Sequence, residues 1–237
     1  MISVCMATYN GEKFLGEQID SILKCLSADD ELVISDDGST DSTRAMLAKY
    51  EEHNPGIKVV EGPGDGIIAN FENAMSHSNG DVIFLSDQDD VWYANKIERV
   101  LEARRSTGAN VIVHDARLVN VDGVPIGPTM FELRSSKSGF IKNLFKNSFV
   151  GCCMAIDKQV LDVALPIPCN VEMHDWWIGL AAELWYKTAF IDDRLIDYRR
   201  HGQNASSLAH HPIPKMISNR CHLAAELAKR SFGGETR

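Results

Sequence analysis

The strongest constraint on the fold is a rhythm in the first 118 residues, where short apolar runs alternate with stretches patterned at helical spacing. "ISVCMAT" (2–8), "ELVISDD" (31–37), "IKVVEG" (57–62), "DVIFLS" (81–86) and "ANVIVHDARLV" (109–119) each read as a strand. Between them, Phe14, Leu15, Ile19, Ile22, Leu23 and Leu26 repeat at helical steps. "GSTDSTRAMLAKY" (38–50) opens a helix on residues that cap free N–H groups. Further helices are expected over about 67–78 and in "YANKIERVLEARR" (93–105). Such alternation predicts an α/β fold of Rossmann-like type, a mostly parallel sheet flanked by helices on both faces. Ligands of such sheets collect outside the carboxyl ends of the strands.

After residue 118 the rhythm breaks. "NVDGVP" (120–125) predicts a turn between short strands with Asp122-Gly123 at its tip. "SGFIKNLFKN" (138–147) predicts a short helix, "FVGCCMAID" (149–157) a strand and "HDWWIGLAAELWYK" (174–187) a strong helix. "TAFIDDRLIDYRRHGQN" (188–204) is expected to form two further extended segments. With no repeat, low-complexity tract or clear linker, residues 1–209 read as one domain in two halves, 1–118 and 119–209. A basic helix is expected over 210–237, where five Lys or Arg face two acids although the chain carries −9 overall.

That negative total argues against nucleic-acid binding, which needs a basic surface to neutralise phosphate. Six cysteines without C-x-x-C pairs are expected to be reduced, mostly buried thiols of a cytosolic protein. Met1 leads directly into the first strand, so no signal peptide is expected, and no apolar run approaches a membrane span.

Six groups of residues carry the candidate chemistry. Asp87, Asp89 and Asp90 crowd around Gln88 just past the fourth predicted strand. Like charges so close raise one another's pKa unless a cation sits among them, and hard carboxylate oxygens suit Mg²⁺ or Mn²⁺; capping of the next helix is the alternative. Asp36 and Asp37 stand at the second strand's end, placed either to accept hydrogen bonds from a pyrimidine or ribose or to form a turn and cap. Thr8, Tyr9 and Asn10 end the first strand beside them. "GPGDGIIANFENA" (62–74), which contains Asn70, enters a helix through glycines and is a diphosphate neighbour or a plain loop. Asp175, after His174, is either a base facing a substrate hydroxyl or an acid stabilised in the first helical turn. Arg199, Arg200 and His201 are phosphate or metal partners, or solvated charge.

Taken in order, "SVCMATYNGEKFLGEQIDSIL", "ELVISDDGSTDST", "GDVIFLSDQDDVW", "GCCMA", "MHDWW" and "YRRHGQN" resemble a bacterial family 2 glycosyltransferase with the GT-A fold, in its rhamnosyltransferase-like branch. The resemblance runs over roughly residues 1 to 207. It implies transfer of a sugar from a UDP- or dTDP-linked donor to an acceptor hydroxyl, with inversion, in cell-surface polysaccharide assembly. By the same resemblance Thr8, Tyr9, Asn10, Glu12, Asp36, Asp37, Asn70, Asp87 and Gln88 fall on the nucleotide-sugar side, in a nucleotide-binding half over 1–118. Asp87 and Asp89 match the D-x-D motif, and with His201 they are the implied ligands of Mn²⁺ or Mg²⁺. D-Q-D-D leaves open whether Asp89 or Asp90 is the principal ligand. Asp175 matches the general base, within an acceptor-side half over 119–209, and a saccharide or lipid-linked saccharide is the implied acceptor. His174 stands where many relatives have Glu, so its role is open.

A nucleotidyltransferase shares the architecture, but "ATYNGEKF" is a poor Gly-rich phosphate loop; a dinucleotide oxidoreductase needs a G-x-G-x-x-G that is absent. A non-catalytic sugar-nucleotide binder is the remaining rival. In the C-terminal helix, Ile213, Ile217, Cys221, Ala224 and Ala228 form a thin apolar stripe. It is expected to pack on the domain or a second subunit, ahead of a peripheral contact at the inner face of the cell membrane by a cytoplasmic protein.

Overall fold

The structure, a computed structural model, describes residues 1–202, 204 and 213–232. Gln203 of the "YRRHGQN" motif, together with 210–212 and 233–237 of the expected C-terminal helix, lies outside the described residues.

The first half follows the alternation in its sequence. β1 (Ile2–Thr8), β2 (Glu31–Asp36), β3 (Ile57–Glu61) and β4 (Val82–Ser86) are separated by α1 (Leu15–Leu23), α2 (Thr43–His53) and α3 (Ile67–Ser76). β2 and β4 are buried along their whole length, which is why they read as continuous apolar runs rather than alternating ones. α1 turns Leu15, Ile19 and Ile22 into the core, one apolar stripe at helical spacing. After the two-residue β5 (Val91–Trp92), α4 (Lys96–Thr107) ends on Gly108, whose positive φ of 65° closes the helix.

The second half is more irregular. β6 (Val111–Val119) is followed by a turn at Asp122-Gly123, closed by a single bridge from Val119 to Pro125. Two short helices come next, α5 (Met130–Arg134), capped reciprocally by Thr129 and Glu132, and α6 (Phe140–Phe145). The strand expected over 149–157 is shortened to β7 (Met154–Asp157), because Gly151–Cys153 tighten into a 3-10 turn that aims a backbone N–H at Asp175. α7 (Lys158–Ala164) and α8 (His174–Trp185) follow. The two extended segments expected after α8 form one strand, β8 (Thr188–Arg199), whose pairing with β6 slips at Asp115 without breaking. α9 (Ile213–Phe232) is the last helix of the described residues, and none of their helices is long and apolar enough to cross a membrane.

The eight strands form one sheet in the order β3-β2-β1-β4-β7-β6-β8-β5. Neighbours are parallel from β3 to β4 and between β6 and β8; the remaining pairs are antiparallel. The chain order reverses at β1, which has β2 on one side and β4 on the other. At such a switch point the flanking loops diverge and leave a crevice above the strand ends. In register, Thr8 lies beside Asp36 and Met6 beside Ser86, so both acid-bearing loops open over β1.

The face that α9 buries differs from the expected stripe. Ile217, Cys221, Ala224 and Ala228 are exposed, while Leu223 and Leu227 are fully buried. Two leucines one turn apart cover more apolar surface than cysteine and alanines, and they decide which side meets the domain. Polar anchors fix the contact: Arg230 donates to the carbonyls of Val163, Leu165 and Pro166, and Arg220 to that of Phe145.

Candidate active site

A cleft of about 550 Å³ opens above the carboxyl ends of β1, β2 and β4. Thr8, Tyr9, Asp37, Asn70, Asp87, Gln88, Asp89 and Asp175, all singled out in the sequence, line it together. Asn10, Glu12, Asp36 and His201 stand outside its lining.

One wall is the β1–β2 side. Asp37 accepts hydrogen bonds from the backbone N–H groups of Gly64 (2.7 Å) and Gly66 (2.9 Å), tying the Gly-rich loop to the end of β2. Asn70 donates to the Thr8 carbonyl at 3.1 Å, and its own Oδ1 is buried in the cleft wall without a partner. Behind this wall, Asp36 accepts from Ser39, Thr8 and Arg44. Asn10 and Glu12 accept from Thr40 and Ser42 and so fasten the loop after β1 to the loop after β2.

The floor is the D-Q-D-D loop. Gln88 reaches across to both the N–H (3.0 Å) and the carbonyl (3.1 Å) of Tyr9, as a strand neighbour would. Gly11 permits that approach, since a Cβ there would stand 2.3 Å from the Gln88 side-chain oxygen. Asp89 Oδ2 meets His201 Nε2 at 2.6 Å and the Asn204 amide at 3.4 Å. His201 itself stacks on Phe14 at 5.0 Å. Asp90 lies behind, fully buried, with Oδ1 accepting the Arg199 N–H and Oδ2 without a partner. Arg199, read from sequence as a phosphate partner or a solvated charge, is neither. Buried, it donates to the Asp89 and Val121 carbonyls and pairs with Glu17 at 2.6 Å.

Burial outweighs the nearby positive groups in this loop. Burial, followed by the Asp89 and Asp175 carboxylates, pushes Asp87 up to about 7. Burial also raises Asp89, against the pull of His201, and it lifts Asp90 well above the usual range with Asp89 and Asp87 adding to it. Besides Arg199, the fold buries one more cation near the loop, Lys96, which donates to the Cys152 carbonyl at 2.9 Å and lies 3.6 Å over the Trp92 ring. Burial brings Lys96 down to about 8. Among the described residues, Asp87, Asp90 and Cys152 have donor atoms within 4.8 Å of one another, a spacing that could hold a metal ion. Asp87 and Asp89, two crowded carboxylates on the cleft floor with the orphan oxygen of Asp90 behind them, fit a divalent cation such as Mn²⁺ or Mg²⁺. Cys152 was not anticipated, because a thiol far along the chain gives no local spacing signal.

The opposite wall comes from the second half. Asp175, buried at the head of α8, accepts the Gly151 N–H at 3.1 Å and its own neighbour's N–H, from Trp176, at 2.6 Å. Gly151 is required for this, since a Cβ would stand 2.9 Å from His174 Nε2. His174 stacks on Phe71 with ring centroids 4.0 Å apart, and both its ring nitrogens are buried without a partner. Burial lowers its pKa and so favours the neutral ring, which has one donor and one acceptor nitrogen along the cleft wall. Arg134, Tyr198 and Asn204 also line the cleft and were missed in the sequence; Arg134 is the one Lys or Arg among the described lining residues.

The description "Glycosyl transferase family 2" matches residues 3–164 of this sequence, more than half of the chain. The chain belongs to glycosyl transferase family 2. Within that family it is 28% identical over 215 residues to the dTDP-rhamnosyl transferase RfbG of Shigella flexneri, covering 84% of this chain and 72% of that protein. It is 25% identical over 182 residues to WfgD of Escherichia coli, a UDP-Glc:alpha-D-GlcNAc-diphosphoundecaprenol beta-1,3-glucosyltransferase, covering 76% and 69%. The mannosyltransferase PcManGT of Pyrobaculum calidifontis, solved with GDP-Man and Mn²⁺, superposes with a TM-score of 0.68 at 18% identity, over 95% of this chain and 69% of that one. The fold is GT-A, a mixed α/β sheet flanked by helices. The family 2 chain described here spans about two thirds of the length of several proteins it matches.

Proposed function

We propose that this chain is an inverting glycosyltransferase that moves a sugar from a nucleoside diphosphate to an acceptor hydroxyl. One observation carries the reading. A buried aspartate, Asp175, has its carboxylate pinned by two backbone N–H groups and faces the same cleft as the acids of the D-Q-D-D loop. Each Asp175 oxygen accepts one such bond and keeps lone-pair capacity for a substrate proton.

Residues 1–118 serve the donor. Thr8, Tyr9, Asp37 and Asn70 hold the nucleotide, with Asn10, Glu12 and Asp36 shaping the loops around it, and Gln88 locks the two loops in register. Asp87 and Asp89, with His201, would hold a divalent cation, Mn²⁺ or Mg²⁺, which supplies charge neutralisation for the leaving diphosphate. Asp89 is preferred over Asp90 as principal ligand because Asp89 lines the cleft and Asp90 lies behind it. Residues 119–209 serve the acceptor. Asp175 takes the hydroxyl proton as the oxygen bonds to the anomeric carbon; the carbon–phosphate-oxygen bond breaks on the opposite face, and its electron pair leaves with the diphosphate. No covalent enzyme intermediate forms, so the site needs no nucleophile. Arg134 lies where its guanidinium can meet phosphate or acceptor.

UDP- or dTDP-linked sugars, rhamnose among them, are the proposed donors, supported by the donors that RfbG and WfgD are named for. A lipid-linked saccharide in cell-surface polysaccharide assembly, at the cytoplasmic face of the membrane, is the proposed acceptor, supported by the diphosphoundecaprenol in WfgD's name. The test has two arms. A panel of UDP-, dTDP- and GDP-sugars should reveal the donor as an Mn²⁺-dependent thermal shift. Asp175→Asn should then lower turnover of that donor by roughly a thousandfold, leaving nucleotide affinity within about twofold of wild type. Wild-type turnover in Asp175→Asn rules out the base, and turnover absent from wild type with every donor makes the chain a binder.

A further inference from the structure

The three most exposed large apolar side chains among the described residues are Ile141 (66%), Phe145 (63%) and Ile217 (57%). The first two stand on α6 and the third on the first turns of α9, and these two helices are joined. The Arg220 guanidinium donates twice to the Phe145 carbonyl, at 3.2 and 2.7 Å, and once to the Met216 carbonyl at 2.6 Å. α6 turns Asn143 inward, and α9 turns Leu223 and Leu227 inward, so the outward apolar side chains are not needed for the core.

Positive charge predominates on the two segments that carry them. Residues 134–146 and 213–220 contain six Lys or Arg (Arg134, Lys137, Lys142, Lys146, Lys215 and Arg220) and no Asp or Glu, on a chain whose net charge is −9. Two acids approach from outside these segments: Glu183 accepts from Gly139 and Asn143, and Glu172 from Asn219. Apolar side chains within a cationic field, presented by short helical faces, match the boundary between anionic headgroups and acyl chains. A second copy meeting this face about a two-fold axis would set its cations against themselves, which electrostatics opposes.

The patch is also wired to the cleft. Arg134 lines it, and the segment after α6 runs to Val150 and Gly151 in its wall. The Trp176 indole, next to Asp175, donates to the Asn143 carbonyl at 2.7 Å, and the Arg220 guanidinium lies 5.4 Å over that indole.

We propose that α6 and the first turns of α9 form a docking surface for an anionic lipid bilayer, set beside the acceptor mouth of the cleft. Its link to an acceptor carried on lipid rests on the transferase reading above; the docking itself does not. The surface differs from the stripe expected in α9 alone, since two of its three apolar anchors come from α6.

Flotation of the full chain with phosphatidylcholine vesicles, with and without a third of the lipid replaced by phosphatidylglycerol, tests it. The chain should float with the anionic vesicles and stay behind with the neutral ones. Lys137→Glu, Lys146→Glu and Lys215→Glu together should weaken partitioning by roughly fivefold or more per charge. Ile141→Asp with Phe145→Asp should reduce flotation to background. All five positions are exposed, so circular dichroism and Mn²⁺-dependent nucleotide binding should be unchanged. Equal flotation of wild type and both variants overturns the proposal. So does a wild-type dimer in sedimentation that Phe145→Asp converts to monomer, since the occupant is then a second copy. Nucleotide binding in the same samples separates the two readings: intact binding without flotation removes the docking surface alone, and flotation without any nucleotide binding removes the transferase reading alone.

Discussion

Two loops in this chain carry adjacent aspartates at the carboxyl ends of parallel strands on either side of β1, yet they are built for opposite ends. In the loop after β2, donors are plentiful. Asp36 receives the Ser39 N–H and hydroxyl, the Thr8 hydroxyl and the Arg44 guanidinium, and Asp37 receives two glycine N–H groups. In the loop after β4, donors are scarce. Asp90 has one oxygen with no partner, and Asp87, Asp89 and Asp90 are all raised by burial and, except at Asp89, by one another. Residue type and topology are the same, so neither distinguishes an acid that builds a loop from one proposed to hold a ligand. Donor supply does.

The sharpest way to break that contrast is to remove an acid from the poorer loop and ask what is lost. Asp89→Ala should weaken Mn²⁺-supported nucleotide binding by roughly a hundredfold, on the order of 3 kcal/mol. Isothermal calorimetry with and without Mn²⁺ measures this directly. An affinity that ignores Mn²⁺ in both wild type and variant would place the cation elsewhere, and the contrast between the loops would then be one of folding alone.

How much of this was readable in advance follows the same division between local and distant causes. β1 to β4 and the helices between them were legible because apolar runs, helical spacing and caps are properties of neighbours in sequence. The acids at strand ends were legible for the same reason. The commitment of Arg199 to Glu17 and to the D-Q-D-D backbone was not, because those partners lie about a hundred residues or more away. Cys152 beside Asp87 and Asp90 was hidden in the same way. The shortened β7 reflects Asp175 recruiting the Gly151 N–H, a demand made by another helix. In α9 two stripes competed, and only the shape of the domain beneath chose Leu223 and Leu227.

A smaller effect probes the richer loop. Asp36→Ala takes a carboxylate partner from the Ser39 and Thr8 hydroxyls and releases Arg44, while Asp36 itself stands outside the cleft lining. It should cost about 2 kcal/mol of stability, read as a lower urea midpoint at unchanged slope. The ratio of nucleotide affinities with and without Mn²⁺ should stay at its wild-type value. A collapse of that ratio would mean that Asp36 belongs with the acids proposed to hold the cation.

The comparison extends to the cations themselves. Arg44 serves Asp36 from a half-exposed position, whereas Lys96 sits wholly buried behind the D-Q-D-D loop. Burial holds the folded-state Lys96 ammonium at about 8, below the ordinary lysine value of 10.5. Between those two values the unfolded chain keeps the proton and the folded chain has released it, so this residue makes stability rise with pH across that window. Below about pH 8 both states are charged and the full cost of burying the ammonium is present. Lys96→Met removes the titration while keeping an apolar stem of similar length. Wild-type stability measured relative to this variant should therefore increase by on the order of 2 kcal/mol between about pH 7.5 and about pH 9.5, by urea unfolding at both. Taking the difference cancels other groups that titrate in both proteins. A gap that stays constant would mean that the surrounding acids hold Lys96 fully charged, and the loop after β4 would then be better supplied with positive charge than its orphan oxygen implies.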